Sequence, residues 1–381
     1  MDKKMLKIIG IVAGVFVVFI ILLFIIAACS KKRFEFVKFQ DEMIAAAKNY
    51  YKNNEKELPN EDGKTKKVTL KQLINDGYLQ EPSKTYKDET LQCDGSITVT
   101  NNGGTYLYSP SLTCGKDHRT QLFKDKVLDD SLVTEGVGLY ETKINYITTE
   151  EDVTNPKYKD AYVFRGEVTN NYVKINGTDK LFRIIRINED GTIRLIATES
   201  EEGTEWDNRY NYEQDEKIGI NEYIYKDINS RMKDSIANYY NNSTLMPDSI
   251  KPYIVSQGLC LGKRGADDST KDGSTECTVG LLNQKLGLLS AYEYLNASLD
   301  EHCLTTTDES CSNYNWMTSI KYVWTQTAFN GDTYSVWYVG VNNLRKTTAE
   351  GQNEWNVVFN ISEKVTYVSG TGTKEDPYII K

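Results

Sequence analysis

Histidine and proline are what this chain does almost without, two and seven residues respectively in 381. Its imidazoles are His118 and His302 alone and no Cys-x-x-Cys spacing occurs, which argues against a zinc site. Neither histidine is matched with a serine or cysteine in a nucleophile elbow. Walker and Rossmann glycine patterns are missing, so the common nucleotide-binding motifs are absent too. Without proline-rich, serine-rich or repeated tracts, a long structureless linker is not expected. Positive charge is also in deficit. The formal net charge of −9 and a pI near 5.1 lack the basic footprint that nucleic-acid binding needs.

What is there begins with an apolar run. Between Ile8 and Ala28 no charged residue occurs, and lysines flank the stretch at Lys3, Lys4, Lys7, Lys31 and Lys32. At about 1.5 Å per helical residue the run is long enough for a hydrocarbon core of roughly 30 Å, and in lipid it would have to be helical. The run exceeds the apolar region of an ordinary cleaved signal. Residues 1–33 are therefore expected to be a membrane anchor, either an uncleaved signal anchor or a lipoprotein signal. In the second case Ile26-Ala27-Ala28-Cys29 is a lipobox and Cys29 carries the lipid.

Setting Cys29 aside leaves Cys93, Cys114, Cys260, Cys277, Cys303 and Cys311, which fall in three successive close pairs. Neighbour pairing is the simplest connectivity, and such bridges belong to an oxidising compartment. The bulk of the chain is thus expected outside the cell membrane, with a single N-terminal tether. Tyrosine is abundant, 26 residues, and suits both recognition surfaces and strands.

From Phe34 to Asn54, apolar residues at three- and four-residue steps (Phe36, Phe39, Met43, Ala46, Ala47, Tyr50) predict an amphipathic helix. Thr69 opens a short helix that Gly77 closes. An alternating Ile97-Thr98-Val99-Thr100 strand, an Asn102-Gly103-Gly104 turn and Tyr106-Leu107-Tyr108 predict a hairpin stapled by Cys93 and Cys114. Over residues 6–120 this layout resembles pilin-like and pseudopilin-like proteins, in Ala45-Ala46-Ala47-Lys48-Asn49-Tyr50-Tyr51, in Leu73-Ile74-Asn75-Asp76-Gly77-Tyr78-Leu79 and in the paired cysteines. A Gly-Phe-Thr-Leu-Ile-Glu-like processing site, on which prepilin cleavage and polymerisation would rest, is missing ahead of the apolar run. Residues 34–120 are read as a small pilin-like module and 121–136 as a polar connector.

The remainder, 137–381, reads as a second domain. Leu181 to Ile187 and Thr192 to Ile196 flank Asn188-Glu189-Asp190-Gly191, a strong hairpin signal. Arg183, Arg186 and Arg194 on it are expected on the wet face of a sheet. Ile224, Ile228, Met232 and Ile236 predict a helix over 220–240. Asn170-Asn171-Tyr172-Val173, Phe182-Arg183-Ile184-Ile185, Gly287-Leu288-Leu289-Ser290, Tyr292-Glu293-Tyr294, Asn315-Trp316, Val336-Trp337-Tyr338-Val339 and the stretch from Ser369 to Ile380 together resemble an uncharacterised domain of bacterial surface proteins. Phe182 stands where tryptophan is usual there, and Asn356-Val357-Val358 lacks the usual Arg-Pro. That family has no established activity; its pattern is similar to C-type-lectin-like and formylglycine-generating-enzyme-like folds.

Calcium is not expected, because the Asp268-to-Gly273 stretch has Val279 where a closing Glu belongs, and Trp206-Asp207-Asn208 has no matching lectin tripeptide. The expected fold is therefore α+β: a membrane helix continuing into a pilin-like module, then a larger mixed, lectin-like, disulfide-stapled domain. The expected function is non-catalytic recognition or adhesion at the cell surface, of glycan or protein ligands, with no cofactor, no metal and no nucleic acid. Trp316, Trp324 and Trp337 are the candidate ligand contacts. A minor pilin-like scaffold and a degenerate formylglycine-generating-like enzyme are the alternatives.

Overall fold

The computed structural model describes residues 33–381. The apolar run and Cys29 lie outside the described residues. Among those that are described, no helix is long and apolar enough to cross a membrane. The expectation of an α+β chain led by a membrane helix that runs on into the next module is corrected accordingly. Strand outweighs helix, 35% against 22%, and the strands are distributed over several sheets. The 18-residue helix Phe36–Asn53 shows why it is no span. Phe39, Met43, Ala46, Ala47 and Tyr50 are buried on one face, while Lys38, Asp41, Glu42, Lys48 and Lys52 occupy the rest of its circumference.

The chain divides into two compact units. The first comprises, among described residues, 33–58, 66–98 and 110–120; the second comprises 59–65, 99–109 and 121–381. In the first unit Thr69 caps the helix Leu70–Asn75, its Oγ1 accepting from Gln72 N at 3.1 Å. The expected hairpin is present as strands Cys93–Asn102 and Thr105–Cys114, stapled by the Cys93–Cys114 disulfide.

The second unit is built on a nine-stranded sheet. Its spine is the hairpin Leu181–Asn188 and Ile193–Ala197, joined through Asn188, whose N–H donates to Thr192 O across the Asp190-Gly191 turn. Gly191 sits at φ +82°, the left-handed backbone that glycine adopts without steric cost. Tyr172–Ile175 and Tyr158–Arg165 pair with successive stretches of Leu181–Asn188, and Val358–Ile361 pairs with Ile193–Ala197. The late segment Tyr378–Ile380 inserts parallel to Tyr172–Ile175. Across the core lies a five-stranded sheet ordered Glu201–Glu205, Gln352–Trp355, Val323–Ala328, Ser335–Val339 and Leu344–Thr348.

The polar connector is ordered: Phe123–Ser131 is a helix whose Phe123 and Val127 are fully buried in the main core, and Phe123 N donates to Val365 O. The helix expected over 220–240 is only Arg231–Asn241, capped by Ser230 Oγ accepting from Lys233 N. The arginines of the spine hairpin do not face water either. Arg186 and Arg194 converge on the buried carboxylate of Glu293, which also accepts from Ser290 N, so three charged groups are compensated inside the core. Arg183 lies against the rings of Tyr172 and Trp316 at 4.5 and 4.3 Å and donates to Asn171 Oδ1 and Val168 O.

Candidate functional site

The three tryptophans singled out by sequence are in the interior, none more than 4% exposed. Each indole N–H donates to a main-chain carbonyl: Trp316 to Phe164, Trp324 to Thr204 and Trp337 to Arg264. They join segments distant in sequence.

The remaining predicted site residues are the cysteines, which form three bridges: Cys93–Cys114, Cys260–Cys277 and Cys303–Cys311. The latter two close loops that meet at one fully buried side chain. Arg264 donates to both oxygens of Glu276 at 3.0 and 3.1 Å within the first loop, and to Thr306 Oγ1 at 2.7 Å in the second. Asp268, in the stretch where calcium is not expected, accepts from Thr270 and Thr275 and pairs with Arg264 at 3.4 Å. Among the described residues no group of three or more His, Cys, Asp or Glu is placed to hold a metal ion.

Aromatic surface comes instead from the loop between the strand Glu201–Glu205 and the helix Arg231–Asn241. Tyr212 is 86% exposed and Tyr210 meets it edge-on, ring centroids 5.0 Å apart. Tyr225 and an exposed Ile228 stand on a two-residue hairpin whose tip, Lys226-Asp227, has φ of 48° and 63°. These are the angles of the tight turn that matches strand twist, here without its usual Asn-Gly. Tyr212, Glu213, Glu222, Tyr225 and Lys226, over Ile220 and Thr333, enclose a cleft of about 110 Å³.

Rigidity beneath this display comes from buried amides. Asn211 Nδ2 donates to Gly219 O at 2.7 Å and to Thr333 Oγ1, while its Oδ1 accepts from Glu213 N. Asn221 Nδ2 lies 3.0 Å from the carbonyls of Phe329, Asp332 and Ser335, and its own N–H donates to Thr333 O. Asp207, buried, receives the Arg209 guanidinium. At Gly219, φ +77°, a β-carbon would stand 2.0 Å from Asp207 O, so only glycine allows this closure.

The chemistry of the display is polar-aromatic and acidic. The Tyr210 hydroxyl donates to Asp215, whose carboxylate raises the phenol above its ordinary value. Tyr225 donates to Glu213 at 3.3 Å, and Lys263 pairs with Glu222 at 2.9 Å. Rings beside amides and carboxylates can stack on an apolar face and bond hydroxyl or amide groups at its edge. Periodicity in 220–240 concealed this loop; the readable signal against a helix was Ser230, an N-cap residue in its midst. Comparison with family models, with curated proteins and with solved structures finds no match to this chain.

Proposed function

We propose that this chain is a non-catalytic recognition protein of the extracellular face, tethered to the membrane through its apolar N-terminal run, and that it contacts glycan or protein ligands through the tyrosine loop over 207–229. One observation carries the reading. Tyr212 projects its ring into solvent from a backbone held by two buried asparagines. Exposing an aromatic ring while fixing the loop beneath it reduces the entropy that binding must overcome. The three disulfides support an oxidising location.

A glycan array and a surface pull-down with the full chain test this. A ligand retained by the parent and lost at least tenfold by Tyr212→Ala, with unchanged thermal melting, supports the reading. Retention of the same ligand by Tyr212→Ala at parental affinity, or no ligand in either assay, overturns it.

A further inference from the structure

The cleft of the tyrosine loop already holds a cation against an aromatic face. The Lys226 ammonium lies 4.9 Å from the centre of the Tyr225 ring, inside the reach of about 6 Å over which a ring quadrupole attracts positive charge. Tyr212, Glu213 and Glu222 line the same cleft of about 110 Å³. Glu213 also accepts the Tyr225 hydroxyl at 3.3 Å, so a carboxylate and the occupied ring stand together.

Charge in the loop favours a positive guest. Over 207–229 acids outnumber bases six to three. Asp207 is matched by Arg209 and Glu222 by Lys263, which leaves Glu213, Asp215, Glu216 and Asp227 against Lys217 and Lys226. Lys226 itself is exposed, and its primary ammonium is of the strongly hydrated kind, so solvent competes with the ring for it. A methylated ammonium is more weakly hydrated, and its methyl groups add apolar contact with the rings. Such a group therefore gains more from this cleft than the resident lysine does.

We propose that the tyrosine loop binds a methylated ammonium group of its ligand, seated against Tyr225 and Tyr212 in place of the Lys226 ammonium, with Glu213 as counter-charge. This rests on the reading of the loop as a contact surface and adds the chemistry it recognises. The full chain, labelled with ¹⁵N, is titrated at constant ionic strength with choline chloride while the Glu213 backbone amide is followed. Ethanolamine, which lacks the methyl groups, and 3,3-dimethylbutan-1-ol, which has choline's shape without its charge, are titrated alongside. A saturable shift with a Kd of roughly millimolar order is expected for choline, and binding about tenfold weaker for the other two.

Tyr225→Leu is expected to weaken choline about tenfold. Lys226→Asn suits the left-handed backbone at the hairpin tip and removes the resident cation, so it is expected to tighten choline by about threefold, a gain that misfolding cannot produce. No saturation by choline, parental affinity in Tyr225→Leu, or equal binding of ethanolamine or the neutral alcohol overturns the proposal. If choline fails while a ligand from the array still depends on Tyr212, only the ammonium assignment falls. If choline saturates and depends on Tyr225 while array and pull-down retain nothing, the assignment stands and the wider recognition reading falls.

Discussion

Glu293 shows how single residues govern this interior. Its carboxylate is almost fully enclosed and accepts from two guanidinium groups and one main-chain N–H. Replacing it with glutamine leaves Arg186 and Arg194 charged in the core, and the expected loss is about 3–5 kcal/mol, read from guanidinium chloride unfolding. Burial pushes the Glu293 carboxyl up, but the fields of Arg194 and Arg186 outweigh this and hold it below its ordinary value. Asp152 follows the same pattern. Burial raises it, while Lys159 and the amides of Thr148 and Thr149 hold it well below the usual range. A depressed carboxyl contributes stability that is complete above its unfolded value, near about 4, and is lost as pH falls through the folded one. Stability is therefore expected to drop as pH falls below about 4, and Asp152→Asn should flatten part of that slope in acid denaturation curves. Sequence named Arg183, Arg186 and Arg194 but placed them on a wet face. Alternation along a strand assigns sides, and it cannot tell that the far side of this sheet is also covered.

Elements with strong local signals were legible. Asp190-Gly191 between two apolar runs, and Asn102-Gly103-Gly104 before Thr105, each produced the hairpin they announce, because turn chemistry acts within a few residues. The loop over 207–229 was not legible, because its order comes from Thr333, Phe329, Asp332 and Ser335, roughly a hundred residues further along. Ile224 and Ile228 fall at helical spacing by coincidence; in the structure they sit on opposite strands of a two-residue hairpin. Asn221→Ala is expected to release this loop at a cost of about 1–3 kcal/mol, visible as new cleavage within 207–229 under limited proteolysis while the spine sheet stays protected in hydrogen exchange. The candidate tryptophans lie in the core. Aromatic residues are read equally well as contacts or as core, and only the fold decides which.

For the molecule as a whole, the disulfides were the most readable feature. Close neighbours in sequence proved to be bonded partners in all three cases. Thiol titration of the native full chain is expected to detect none of these six sulfurs before reduction, and reduction should cost about 2–4 kcal/mol per bridge in chemical unfolding. The boundary near 137 was less readable, since Phe123 and Val127 belong to the core of the second unit although the stretch around them looks like solvent-exposed connector. A fragment beginning at 137 is expected to melt several degrees below one beginning at 121, as measured by calorimetry, because it loses both buried side chains.

The segment Tyr378–Ile380 has a consequence for biosynthesis. It lies between Tyr172–Ile175 and Tyr367–Ser369, and Tyr378 and Ile380 are wholly enclosed. A nascent chain can fold its spine hairpin early, but the interior stays open until some two hundred later residues have left the ribosome. Products that stop short of Tyr378 would expose apolar surface to chaperones and proteases, so synthesis itself acts as a checkpoint on completeness.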